Sequence, residues 1–212
     1  MSMEAASGNE RACDAVIFDV GNVLIRWDAR LVYRRLLPDE AAIEAFFAEV
    51  GFMDWNLEFD RGADWDEGVA TLSARHPHRA ELIAAFHDRW HESVPGAVES
   101  AEALLAELAA AGVPLYAITN FAGPKWAESV ARFPFLGASF RDVVVSGHEG
   151  VVKPDPEIFR RCLARNGLAA RTCVFVDDSP ANVAAAAAVG LDAIRFTSVA
   201  ALRPELARRG LL

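Results

Sequence analysis

Apolar positions along this chain fall into two patterns. Short, nearly continuous runs occupy residues 15–18, 113–118, 143–145, 173–176 and 193–196. The first, third and fourth are hardly interrupted by polar residues, as expected of strands buried on both faces of a parallel sheet. Between the later runs the spacing is helical. Val98, Ala101, Leu105 and Leu108 share one face, and Gly112 stands where a glycine ends a helix. Asp155 before Pro156 predicts an N-cap and first turn, opening a helix through Ile158, Phe159 and Leu163. Ser179 before Pro180 repeats the device, with Ser179 expected as the cap, and Gly190 closes that helix. Strand alternating with helix over residues 95–200 predicts an α/β fold, a Rossmann-like doubly wound parallel sheet.

Residues 31–94 break the alternation. Leu31, Val32 and Leu36, then Ile43, Phe46 and Phe47, then Leu82, Ile83, Phe86 and Trp90 are helix-spaced sets with no strand between them. Pro95-Gly96 marks a turn back. The organisation expected is therefore a core of residues 1–30 and 95–212, with 1–12 a loose tail, and an inserted helical cap over 31–94. Within the cap, residues 52–56 are expected to form a loop facing the functional site.

Composition removes several function classes. No run of about 18 strongly apolar residues is present, so no membrane span is predicted. The first residues lack the basic and apolar regions of a signal peptide, and the chain is expected in the cytosol. Cys13, Cys162 and Cys173 have no metal-binding spacing and are read as small buried thiols. A formal net charge of −9 disfavours nucleic acid as a partner. It also means that an anionic substrate needs a local cationic site.

The chemistry-bearing residues follow the predicted strands. Asp19, Gly21 and Asn22 follow the first, Thr119-Asn120 the second, Lys153 comes after the third, and Asp177-Asp178 follow the fourth. The carboxyl ends of parallel strands line one edge of the sheet, where ligands bind, so these residues are expected to converge. Phosphoryl transfer asks for such a set: carboxylates for Mg²⁺, a carboxylate nucleophile, and lysine, hydroxyl and backbone N–H groups for phosphate oxygens. Each residue also has an ordinary reading: Asp19 as a turn-former, Thr119-Asn120 as a cap, Lys153 as a solvated lysine. The acidic pair has none if Ser179 caps the helix, and two uncompensated buried-edge carboxylates would cost several kcal/mol.

In these runs, and in Lys153-Pro154-Asp155-Pro156-Glu157-Ile158-Phe159 and Phe175-Val176-Asp177-Asp178-Ser179-Pro180, the chain resembles the haloacid dehalogenase superfamily, in the subgroup with a helical cap after the first strand. The resemblance implies Asp19 as nucleophile, Lys153 as the catalytic lysine and Thr119 as a phosphate ligand, joined by Asn120, Gly21 and Asn22. It implies Mg²⁺ held by Asp19, the Gly21 carbonyl, Asp177 and Asp178, and a small phosphorylated metabolite as substrate. One position departs. Phosphatases of the superfamily usually carry a second aspartate two residues after the nucleophile, as general acid and base, and here that residue is Gly21. The segment Phe18-Asp19-Val20-Gly21-Asn22-Val23 is similar to a branch acting on glucose 1-phosphate. Gly21 is also read as a residue free to take positive φ.

Asp28, Asp54 and Asp60 are candidates to replace the missing acid. Trp55 and Asn56 are candidates for substrate selection, with Phe52, Phe59 and Trp65 divided between pocket and cap packing. Two other functions remain open at this point. One is a metal-free 2-haloacid dehalogenase, with Arg26, Arg30, Arg34 or Arg35 gripping a carboxylate, although the acidic pair serves no purpose there. The other is a non-catalytic binding protein on the same fold.

Overall fold

The computed structural model describes residues 13–212, so the expected tail at 1–12 lies outside the described residues. Strand β1 (Ala15–Phe18) is followed by helices α1 (Arg30–Tyr33), α2 (Glu40–Val50), α3 (Phe52–Asp60), α4 (Trp65–Arg75), α5 (Ala80–Asp88) and α6 (Ala101–Ala110). Then come β2 (Leu115–Thr119), α7 (Gly123–Arg132), α8 (Phe135–Ala138), β3 (Asp142–Val145), α9 (Ser146–Glu149) and α10 (Pro156–Arg165). The chain ends with β4 (Cys173–Asp177), α11 (Pro180–Val189), β5 (Asp192–Arg195) and α12 (Val199–Ala207).

The strands form one parallel sheet in the order β3-β2-β1-β4-β5. After β1 the chain builds outward through β2 and β3, then returns to place β4 on the other side of β1. The switch point of this doubly wound sheet lies between β1 and β4, where a crevice opens at the carboxyl edge. Asp19 follows one of these strands and Asp177 ends the other.

Both faces of the sheet are covered, which is why its strands read as unbroken apolar runs. Ala15, Ile17, Tyr116, Ile118 and Phe175 face Ile158, Phe159 and Leu163 of α10 and Ala186 of α11. Val16, Phe18, Ala117, Val174 and Val176 face the opposite way, in one buried cluster with Leu104 and Leu108 of α6 and Leu202 and Leu206 of α12. That cluster continues without a break into the helical segment between β1 and α6, through Tyr33, Phe46, Phe52, Phe59, Trp65 and Phe86. Rings there pack closely: Phe47 on Phe52 at 4.0 Å between centroids, and Phe59 on Trp65 at 4.1 Å. Such stacks add about 0.5–1.5 kcal/mol each beyond the area they bury.

Three local expectations are corrected. Residues 52–56 are the start of helix α3, not a loop, because Phe52, Trp55 and Phe59 recur at helical spacing and bury one face. Gly21 is not the left-handed residue after β1; Asn22 is, with φ 57°, a conformation that Asn tolerates better than most side chains. Ser179 occupies the N-cap position of α11 but makes no side-chain cap bond, and Asp177 takes that work instead.

Candidate active site

Asp19 is fixed as β1 ends. Its N–H donates to the Val176 carbonyl at 2.8 Å, extending the β1–β4 ladder by one residue, and its Oδ1 accepts the Val20 N–H at 2.6 Å. Lys153 enters from the segment after α9. Its backbone is clamped by the Asn120 amide, which accepts from Lys153 N at 2.7 Å and donates to Lys153 O at 2.9 Å. So Asn120, expected as a phosphate ligand, spends its side-chain amide on holding the lysine in place. Lys153 Nζ then bridges Asp19 Oδ1 and Asp177 Oδ2, at 2.7 Å each, with all three residues buried.

The tandem acids divide. Asp177 is fully buried, and besides Lys153 its carboxylate accepts the Ser179 N–H at 2.9 Å and Asn182 Nδ2 at 3.0 Å to both oxygens. It anchors the lysine and the start of α11. Asp178 is half-buried and lines the cavity beside Asp19. Carboxylate oxygens of Asp19, Asp177 and Asp178 all lie within 4.8 Å of one another. Three acids here face the ammonium of Lys153, with the Arg195 guanidinium acting on Asp178 as well, and positive charge is short. Burial and then the neighbouring Asp177 push Asp19 upward against the pull of Lys153, and the same two causes raise Asp178. Burial works against the Lys153 ammonium, but Asp19 and Asp177 outweigh it and hold its pKa above the usual value. A set of hard oxygen donors short of cation suits a divalent ion such as Mg²⁺, and Asp19 and Asp178 are its cavity-facing members. Thr119, at the end of β2, adds a buried Oγ1 with no hydrogen-bond partner among the described residues, a hydroxyl left over for a ligand oxygen.

Above this cluster lies a cavity of about 440 Å³. Asp19, Gly21, Asn22, Asn120 and Asp178 border it from the core side, while Trp27, Met53, Leu57, Trp65, Trp90 and Phe121 make most of the wall apolar. Helix α3 separates the two predicted selectors. Asn56 lies on the cavity face; Trp55 is buried in the ring cluster, donates Nε1–H to the Gly68 carbonyl at 3.2 Å, and is not part of the wall. Phe52 and Phe59 are likewise packing residues, and Trp65 both packs and lines the cavity.

Of the three acids considered as replacements, Asp28 accepts from Arg30 N at 3.0 Å and lies off the cavity, Asp54 lines it but is exposed, and Asp60 lines it and is half-buried. Burial raises the Asp60 carboxyl to about 7, with Asp19 adding to the rise and the Ala122 N–H, Lys153 and Arg61 opposing it. None of Arg26, Arg30, Arg34 and Arg35 lines the cavity; Arg30 and Arg34 pair with Glu44 and Glu40. Sequence reasoning missed Lys125, Phe121 and Leu57; Met53 was within the stretch expected to face the site. Lys125 extends over Trp65 and Trp90, 5.4 and 5.6 Å from their ring centroids, and pairs with Glu128 at 2.8 Å. The Gly123-Pro124 start of α7 was the signal that could have drawn attention to it, since Pro at the first turn marks a helix.

Comparison with known proteins agrees with this geometry. The chain is 29% identical over 194 residues to the sesquiterpene phosphatase astK of Aspergillus oryzae, covering 91% of this chain and 94% of that protein. Its fold matches a haloacid dehalogenase family enzyme from Bacteroides thetaiotaomicron solved with magnesium and inorganic phosphate (TM-score 0.67, 19% identity, 88% of this chain and 96% of that one). It also matches the L-2-haloacid dehalogenase of Xanthobacter autotrophicus solved with chloropropionic acid covalently bound (TM-score 0.61, 22% identity, 94% and 84%). At those identities the two structures speak for the fold alone. Residues 13–190 match the haloacid dehalogenase-like hydrolase family, and the chain belongs to it.

Proposed function

We propose that the protein is a Mg²⁺-dependent phosphatase acting on small phosphomonoesters whose alcohol portion is largely apolar. The observation that carries the reading is the paired use of acids around Lys153. Asp177 is consumed in holding the lysine against Asp19, which leaves Asp178 as an extra anion on the cavity side. An anion beside a carboxylate nucleophile is a cost unless a cation is recruited there.

Asp19 attacks phosphorus through a carboxylate oxygen. The P–O bond to the alcohol breaks, its electron pair leaves on the alcohol oxygen, and that oxygen takes up a proton. Water then attacks phosphorus, the P–O bond to Asp19 breaks, and the carboxylate returns. Lys153 neutralises charge at Asp19, while the Thr119 hydroxyl and the Gly21 N–H would serve phosphate oxygens, the Val20 and Asn22 N–H groups being donated to Asp19 Oδ1 and the Ile25 carbonyl. Bound Mg²⁺ supplies the positive charge that lets an anionic nucleophile meet an anionic phosphate.

Substrate choice is read from the wall. A sugar offers hydroxyls that would lie against Trp27, Leu57, Trp90 and Phe121 without partners, at about 1–3 kcal/mol for each group left unsatisfied. An apolar alcohol avoids that cost, which supports this class over the sugar phosphates suggested by the sequence around Asp19. The named substrate class of the Aspergillus oryzae relative points the same way. The test is phosphate release over a panel of alkyl, prenyl, aromatic and sugar phosphates, with Mg²⁺ and with chelator. Turnover that needs Mg²⁺, favours apolar esters and disappears in Asp19→Asn is expected. Turnover unaffected by chelator, or surviving in Asp19→Asn, contradicts the proposal.

A further inference from the structure

We propose that Asp60, carried on helix α3, is the general acid and base that serves the alcohol oxygen. The inference rests on the phosphatase reading, and starts from what is missing beside Asp19. Gly21 lines the cavity, and a Cβ built on it meets no atom within 4 Å. The core side of the site thus has an open space and no acid two residues beyond Asp19. A proton for the departing oxygen must come from another wall.

The acids on the cavity are Asp19, Asp178, Asp54 and Asp60. Asp19 is the nucleophile, Asp178 belongs to the carboxylate cluster, and Asp54 is exposed. Asp60 alone is a half-buried acid on the opposing wall that makes no ion pair among the described residues. Its own side-chain neighbour is Asn56, whose Nδ2 lies 3.4 Å from Oδ2. The charged groups that face it are Asp19 and Lys153 from the core and Arg61 from its own turn. Its raised pKa leaves the carboxyl protonated through much of the range below 7, as a donor requires.

The position of Asp60 is fixed by the core and not only by its helix. The Ala122 N–H acts on its carboxylate and opposes the rise in its pKa. Ser146 Oγ donates to its backbone carbonyl at 2.5 Å and accepts the Phe121 N–H at 2.9 Å. Just beyond, Gly62 approaches Gly147 so closely that a Cβ would lie 2.7 Å from the Gly147 oxygen. The chain after β2 and the start of α9 therefore grip the end of α3, and the grip presents the carboxyl to the cavity. In the first half-reaction the Asp60 O–H gives its proton to the alcohol oxygen as the P–O bond breaks. In the second, the resulting carboxylate takes a proton from the water that attacks phosphorus, which restores the acid.

The experiment compares an alkyl phosphate with p-nitrophenyl phosphate, whose leaving oxygen needs no proton. Wild-type turnover of p-nitrophenyl phosphate tests the phosphatase reading itself; an inert wild-type enzyme overturns both. Given turnover, Asp60→Asn is expected to lower kcat/KM for the alkyl ester by about 10²–10⁴-fold and for p-nitrophenyl phosphate by no more than about 5-fold in the first half-reaction, read as the burst of p-nitrophenol. The alkaline limb of the alkyl-ester profile, near pH 7 in the wild type, should vanish in the variant. The double variant Gly21→Asp/Asp60→Asn fills the open space with an acid and should recover part of the alkyl-ester activity. Equal losses on both substrates, or no loss on either, overturn the assignment and leave Asp60 a structural latch.

Discussion

The sheet edge and the helical wall that face each other across the cavity are built on opposite principles. At the edge, buried charge is held by charge: Asp19, Lys153 and Asp177 form a chain of 2.7 Å contacts with backbone and amide donors filling the remaining valences. On the wall, rings pack on rings, and polar side chains appear where α3 turns toward the cavity, at Asp54, Asn56 and Asp60, and at Lys125 of α7. The edge is specific and electrostatically strained. The wall is apolar and sets what fits above it. The difference teaches that reactivity and selectivity here belong to separate parts of the chain, so each can be perturbed with a different signature.

The largest effects should come from one deletion on each side. Lys153→Met leaves Asp19 and Asp177 buried without their cation, at a cost of about 3–5 kcal/mol near neutral pH, together with loss of turnover. Phe86→Ala, in the centre of the ring cluster, should cost a comparable ~3–5 kcal/mol. Denaturation across pH separates them. The Lys153→Met penalty should shrink in acid, as the carboxyls protonate, and the Phe86→Ala penalty should not. A pH-independent Lys153→Met penalty breaks the distinction.

A smaller effect concerns the unmutated protein. Asp19 and Asp60 both have folded pKa values pushed up to about 7, against roughly 4 in an unfolded chain. A carboxyl raised in this way favours the folded state while protonated; its contribution is complete below about pH 4 and lost as pH climbs to 7. Metal-free protein should therefore lose stability steadily between pH 5 and 7.5, and Mg²⁺ added at pH 7.5 should restore part of it through Asp19 and Asp178. Thermal melts with chelator and with Mg²⁺ read both changes; stability that rises over that interval without metal contradicts the assignment of strain to the edge.

The two regions also differed in how far the sequence disclosed them. Strand runs buried on both faces are hard to mistake, and a parallel sheet sends their carboxyl ends to one edge, so the meeting of Asp19, Lys153 and Asp177 was legible in advance. What was not legible was the division of labour inside the pair. Adjacent residues at a strand end point in different directions: in the folded chain Asp177 turns inward to Lys153 and Asn182 while Asp178 turns to the cavity. The wall was harder. Aromatic residues on a helix look alike whether they pack or line a pocket, and one helical step separates Trp55, which is buried, from Asn56, which is not. Lys125 and Phe121 come from the β2–α7 connection, where no apolar period announced a function.

The central claim is that Asp19 attacks phosphorus and that water then attacks the same phosphorus. A single turnover in H₂¹⁸O, followed by mass spectrometry of the released phosphate and of the peptide containing Asp19, tests it directly. The account predicts one ¹⁸O in the phosphate and none in the Asp19 carboxylate. Label in the Asp19 carboxylate means that water attacked the carboxyl carbon, of an ester made with a carbon substrate or of an acyl phosphate, and that result would contradict it.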